Sequence, residues 1–262
     1  MNQFPVEWTD GTAEIHYSCQ DNSFLKDCHL RILDPVSCVK ANGILLHGQR
    51  KEDGIIYPFD EEVVQSGKAG RLLISFEPEE GGEQMPFAFL EGNFLVKNSE
   101  AYEEMDHRQL RSTGSFYLEA MENRNAIDCN DLITSGFPFC RSGAILSARR
   151  YISPQGKLQI PEVEADCAFV NIQGNAAGAV WGPEWVLDTG LPEGIYDVEI
   201  ELIPSTFNTY GPHHYWEGDR HLISPDQYRG KKNFADRPDA PVHTLIPEWH
   251  LIKWGLKNKV TV

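Results

Sequence analysis

The sequence predicts an all-β protein built from antiparallel sheets, folded as two sandwich modules of similar design. Three observations carry this. Segments of alternating apolar and polar residues recur along the chain, as strands with one face in a core require. The 22 glycines and 16 prolines punctuate those segments and leave little room for long helices. A pattern of strand, turn, aromatic-proline step and second strand occurs twice, about half a chain apart.

Taken in order, the strand segments are AEIHYSC (Ala13–Cys19), CHLRILD (Cys28–Asp34), RLLISFE (Arg71–Glu77), FAFLEGNFLVK (Phe87–Lys97), AILSARRYI (Ala144–Ile152), CAFVNI (Cys167–Ile172) and IYDVEIELI (Ile195–Ile203). EWHLIKWGL (Glu248–Leu256) reads as a final strand with apolar residues on both faces. Asn42–Gly43 is a hairpin signal. Two segments carry helix signals. Ser99–Arg111 has a capping serine and an acidic first turn, and Asp128–Gly136 is bracketed by a capping aspartate and a stop glycine. The repeat runs from Cys38 to Glu77 and again from Cys167 to Ser205. Each copy holds a strand, a Gly/Asn turn and an aromatic close to a proline (Tyr57–Pro58; Trp181 and Pro183). An acidic stretch, a second turn and a strongly alternating strand follow. Alternation lapses between Ser99 and Ser135. We therefore divide the chain into a first module at 1–110 and a second at 111–262, joined by a short helical segment.

Composition narrows the function. Hydrophobic residues make up 41% of the 262, enough for a sizeable core. The formal net charge of −16 repels phosphate backbones and anionic lipid heads, which sets nucleic acid and membrane partners aside and leaves neutral ligands such as carbohydrates. No apolar run reaches the roughly 18–20 residues of a membrane span, and MNQFPVEWTD lacks the basic and apolar regions of a signal peptide. The expectation is a cytoplasmic protein, or a piece of something longer. The cysteines at 19, 28, 38, 129, 140 and 167 show no C-x-x-C spacing, so they read as reduced thiols rather than a zinc ribbon.

The densest stretch for chemistry is TFNTYGPHHYWEGD (Thr206–Asp219). His213, His214, Glu217 and Asp219 could form a His/carboxylate site. Adjacent histidines on extended chain point opposite ways, however, and neither H-E-x-x-H nor H-x-H is present. The plainer expectation is one imidazole bonded to backbone in a tight turn. No G-x-S-x-G occurs, and GNAAGAVWG (Gly174–Gly182) matches neither a P-loop nor a dinucleotide fingerprint. Alternation puts Glu162 with Glu164, and Glu199 with Glu201, on single strand faces, where solvation explains them. Five of the six tryptophans lie in the C-terminal half, and sugars stack on exposed indole and phenol rings.

The segments LPEGIYDVEIEL, NTYGPHHYWEGD and ISPDQY, in that order, resemble the galactose-binding-like β-sandwich region near the C-terminus of large bacterial glycoside hydrolases of the family 2 and α-L-rhamnosidase-like kinds. FAFLEGNFLV and SGFPFCRSGAI resemble further strands of that region, although Cys140 stands where the family commonly has an aromatic. The likeness spans residues 35 to 256. It implies two galactose-binding-like jelly rolls forming a non-catalytic accessory region. Such a region binds carbohydrate or braces a catalytic domain or subunit supplied elsewhere. The implied ligand-binding residues are His213, His214, Tyr215, Trp216 and Asp219, with Trp181 and Trp185 as a second wall. No cofactor is implied, although such sandwiches often carry a structural calcium ion. Two other readings stay open. One is a small carbohydrate-active hydrolase using the His213/His214/Asp219 cluster, and the other is a purely structural or oligomerisation module.

Overall fold

A computed structural model describes residues 2–18, 22–78, 86–105, 108–121, 127–211, 213–216 and 245–257. The chain is mostly β, with 52% strand and 8% helix. Every strand-to-strand pairing among the described residues is antiparallel. All seven predicted strand segments form strands. FAFLEGNFLVK breaks in two at Asn93, and its halves join different sheets, Ala88–Gly92 in one and Phe94–Asn98 in another.

A first core spans the N-terminal half. One five-stranded sheet is built, in spatial order, from Asn2–Pro5, Ala88–Gly92, His29–Ile32, Gly54–Pro58 and Gln49–Lys51. Its inward row aligns Phe4, Leu90, Leu30 and Tyr57 in register. A four-stranded sheet of Thr12–His16, Arg71–Pro78, Val36–Ala41 and Ile44–Leu45 supplies Ile15, Leu72, Ile74, Val39 and Ala41 to the same core. Trp249, Leu251 and Trp254 from the C-terminal end close it. His250 is also buried, so the strand Leu245–Ile252 is covered on both faces at Trp249–Leu251.

A second core lies within the six-stranded sheet of Asn175–Val180, Cys167–Ile172, Gly194–Ile203, Ala144–Ile152, Lys157–Gln159 and Val186–Asp188. Ala168, Val170 and Ile172 pair with Leu202, Ile200 and Val198. These six side chains form the centre of that core. The opposite face carries Glu199 in solvent, as alternation requires.

The repeat survives as topology. In each copy the opening strand enters a two-residue turn with both central residues at positive φ. These are Asn42 (50°) and Gly43 (84°) in the first copy, and Gln173 (52°) and Gly174 (77°) in the second. That is the type I′ hairpin, whose twist matches the flanking strands. Both copies then give the same spatial order: hairpin partner, opening strand, closing strand, and the strand that precedes the repeat. In the first copy the order is Ile44–Leu45, Val36–Ala41, Arg71–Pro78, Thr12–His16, and in the second Asn175–Val180, Cys167–Ile172, Gly194–Ile203, Ala144–Ile152.

Two helix expectations are corrected. Ser99–Arg111 contains the short strands Glu103–Glu104 and Gln109–Ser112 instead. Gln109–Ser112 pairs with Leu245–Ile252 and buries Leu110 and Ser112, so sheet pairing overrides local helix propensity. The Ser99 hydroxyl accepts from the backbone N–H of Ser115 (2.9 Å) rather than capping a helix. Asp128–Gly136 is a run of turns. The Asp128 carboxylate accepts from the Asn130 N–H in an Asx turn, and the backbone carbonyl of Trp254 receives the Leu132 N–H. No helical connection joins the halves at these places. The helices that do form among the described residues are Glu61–Ser66, Thr206–Tyr210 and a 3-10 turn at Ser23–Asp27.

Candidate functional site

The GPHH corner is a locked piece of packing. Ser205 caps the helix Thr206–Tyr210 by accepting from the Phe207 N–H. Gly211 ends it at φ +76°, where a Cβ would stand 2.7 Å from the His213 backbone nitrogen, so only glycine fits. Inside that turn the fully buried Asn208 side chain exchanges two 2.7 Å hydrogen bonds with Ile252, donating to its carbonyl and accepting from its N–H. His213 Nε2 donates to the Asn208 carbonyl (3.0 Å). Its ring packs edge-on against Phe139 (5.1 Å between centroids) and lies tilted 5.6 Å from Trp249. The imidazole thus pins the corner to the first core. His214, Tyr215 and Trp216 lie on a short strand, His214–Trp216, paired with Leu245–Ile252. Their side chains, and all of Asp219, fall outside the described residues.

Trp181 and Trp185 are brought together. They flank a shallow cleft of about 290 Å³ formed by residues 179–186. Trp185 is buried in the second core with a positive φ of 49°. Gly182 sits against its indole, where an added Cβ would come within 3.1 Å of Nε1. The Gln159 carboxamide holds the turn by donating to the carbonyls of Ile160, Glu184 and Trp185. Trp181, by contrast, is 69% exposed. The same short loop buries one indole and presents the other to solvent.

A third cluster carries no motif in the sequence. On the outer face of the five-stranded sheet, Glu91 accepts from Arg31 through both Nε and Nη2 (2.8 Å each) and contacts His29 Nε2 at 2.9 Å. Arg31 also bonds Asp53, which accepts from Arg141 Nη2 (2.8 Å). Burial pushes the Glu91 carboxyl up, but the hydrogen bonds and charges of His29 and Arg31 outweigh it and hold the group at about 2. Asn2, Gln3 and Ser142 complete a polar recess of about 310 Å³ around this chain of charges. The signal was present in outline. HLRI places His29 and Arg31 on one strand face, but nothing in the sequence pairs them with a glutamate 60 residues away.

These geometries limit the chemistry. Glu91 is a fully bonded carboxylate, ionised at neutral pH, rather than an acid or a nucleophile. Among the described residues no group of three or more His, Cys, Asp or Glu stands where it could hold a metal ion. Comparison with family models, with curated proteins and with solved structures returned no match. The site most open to a ligand is therefore judged on its geometry alone, and that is the Trp181 cleft.

Proposed function

We propose that this chain is a non-catalytic carbohydrate-binding and bracing region of a glycoside hydrolase, its two cores being galactose-binding-like jelly-roll modules. The observation that carries the binding role is Trp181. A 69% exposed indole beside an open cleft, on a loop anchored by the buried Trp185, offers a platform for the apolar face of a pyranose. The recurrence of one strand order in both halves supports the paired-module reading. The bracing role draws on the outer face of the six-stranded sheet. There Ile145 (65% exposed) and Phe169 (48%) flank Glu201 in register, and Tyr151 (54%) pairs with Ile195 (62%). A solvated sheet face ordinarily carries fewer large apolar side chains, and such clusters mark contact surfaces.

The test is a titration with a panel of mono- and oligosaccharides, read by calorimetry and tryptophan fluorescence, on the wild type and on Trp181→Ala. The substitution removes an exposed ring, so the fold is retained. Saturable binding that Trp181→Ala weakens by about tenfold or more, the worth of roughly 1.4 kcal/mol of stacking, supports the proposal. Binding untouched by the substitution removes Trp181 from the site. An inert wild type leaves only the bracing role.

A further inference from the structure

The two copies of the repeat each open a cleft beside the hairpin partner strand. In the second copy it is the Trp181 cleft. In the first it is a larger cavity of about 390 Å³, between Val36–Ala41 and Ile44–Leu45 of one sheet and Gln49–Lys51 and Gly54–Pro58 of the other. Its apolar walls are Val39, Leu45, Leu46 and Ile55. Its polar lining is Cys38, His47, Arg50 and Tyr57, with Ser37 at the rim.

Three features distinguish this cavity from a packing defect. The first is charge. The chain carries 39 acidic against 23 basic residues, yet no carboxylate lines this cavity, and its charged side chain is Arg50. Arg50 makes no ion pair with any described residue. The second is Tyr57, only 6% exposed, whose hydroxyl makes no hydrogen bond with any described residue. The ring is buried, but the hydroxyl oxygen is not among the buried unpartnered polar atoms, so it is reached from the cavity. Burial first, and the neighbouring Cys38 second, push its pKa up, so it stays protonated and able to donate. The third is Gly48. A Cβ there would stand 2.6 Å from Ile55 Cγ2 and 2.8 Å from Tyr57 Cε1, so only glycine lets this turn lie directly on the Ile55 and Tyr57 side chains that line the cavity.

We propose that this cavity is a binding site for a small organic anion, a carboxylate carried on a compact apolar body. The carboxylate would take hydrogen bonds from the Arg50 guanidinium and the Tyr57 hydroxyl, and the body would lie on Val39, Leu46 and Ile55. Arg matches the planar, two-oxygen geometry of a carboxylate, and a cavity of this size suits a ligand of that bulk. The site lies on the other repeat copy from Trp181 and stands whether or not the carbohydrate reading holds.

The experiment is an amide NMR titration of the full chain with sodium benzoate, and in parallel with benzamide as its neutral isostere. Variants are Arg50→Gln, at an exposed side chain, and Tyr57→Phe, which keeps the ring. The expected result is saturable shifts centred on Gly48 and Tyr57 with benzoate. Affinity should fall about tenfold in Arg50→Gln and with benzamide, and severalfold in Tyr57→Phe. Alkylation of Cys38 by iodoacetamide should slow when benzoate is bound. Absence of saturation at millimolar benzoate would overturn the site. Equal affinity for benzamide, or for Arg50→Gln, would overturn its assignment to an anion.

Discussion

Glu91 is buried, ionised and bonded by the Arg31 guanidinium and the His29 ring, and its behaviour with pH follows from that geometry. Its carboxyl is held at about 2, against 4.5 for the free side chain. The folded value lies below the unfolded one. The stabilisation is therefore complete above the unfolded pKa and is lost as pH falls through the folded one. The difference corresponds to about 3 kcal/mol. Urea unfolding at about pH 7 and about pH 3 should show a loss of stability in the wild type. Glu91→Gln should be less stable at the higher pH and should lose less on acidification. Parallel acid limbs in the two proteins would mean that Arg31 and His29 do not stabilise the charge. His213 illustrates a different limit at this scale. Its carbonyl partner, Asn208, lies in the same turn, but the rings it packs on, Phe139 and Trp249, come from distant segments, so the sequence carried the turn but not the packing that occupies its ring.

Local chemistry decides the elements where the chain has no competing partner. Asp60 is the clearest case. Its carboxylate accepts from the Val63 N–H (3.0 Å), with Glu61 and Glu62 in the first turn, and the helix Glu61–Ser66 begins there. Asp60→Ala should lower stability by about 1 kcal/mol, read as a drop in the urea midpoint at unchanged m-value. An unchanged midpoint would show that the buried Val63 and Val64 hold the helix without the cap. The same contrast explains what was legible. Cys167–Ile172 and the closing strand of the second repeat could be read directly, because their buried residues alternate with more exposed ones. Ser99–Arg111 could not. Its serine and acidic residues favour a helix locally, and the partner that makes it a strand, Leu245–Ile252, lies more than 130 residues further on. Of the candidate site, the pairing of Trp181 with Trp185 was visible as spacing. Which indole would be buried was not, because that depends on Gly182 leaving room for the ring, on Gln159 holding the backbone of the turn and on the second core that receives Trp185.

Across the whole molecule the apolar residues gather into two separate cores, and the contacts that join them are of another kind. Val163 and Glu164 pair with Leu256 and Gly255, Lys257 donates its N–H to the Glu162 carbonyl, and Arg108 donates to the carbonyls of Lys253 and Ala165. Among the described residues the joint is mainly hydrogen bonds and ion pairs, and its apolar part is small, with Leu256 packed on the second core and Ala144 on the first. Cooperativity follows buried apolar contact more than a few surface hydrogen bonds, so the second core should open without the first. Leu202 tests this. It is fully buried at the centre of the second core, opposite Ala168 and Ala144, and truncation to alanine should cost roughly 2–5 kcal/mol there. In native-state hydrogen exchange, Leu202→Ala should lower protection across residues 167–172 and 194–203. Amides of His29–Ile32 and Arg71–Pro78 should keep their wild-type protection. An equal loss in both sets would show that the Arg108 and Val163–Glu164 joint couples the cores into one folding unit. The repeated strand order would then describe ancestry of shape rather than independence of folding.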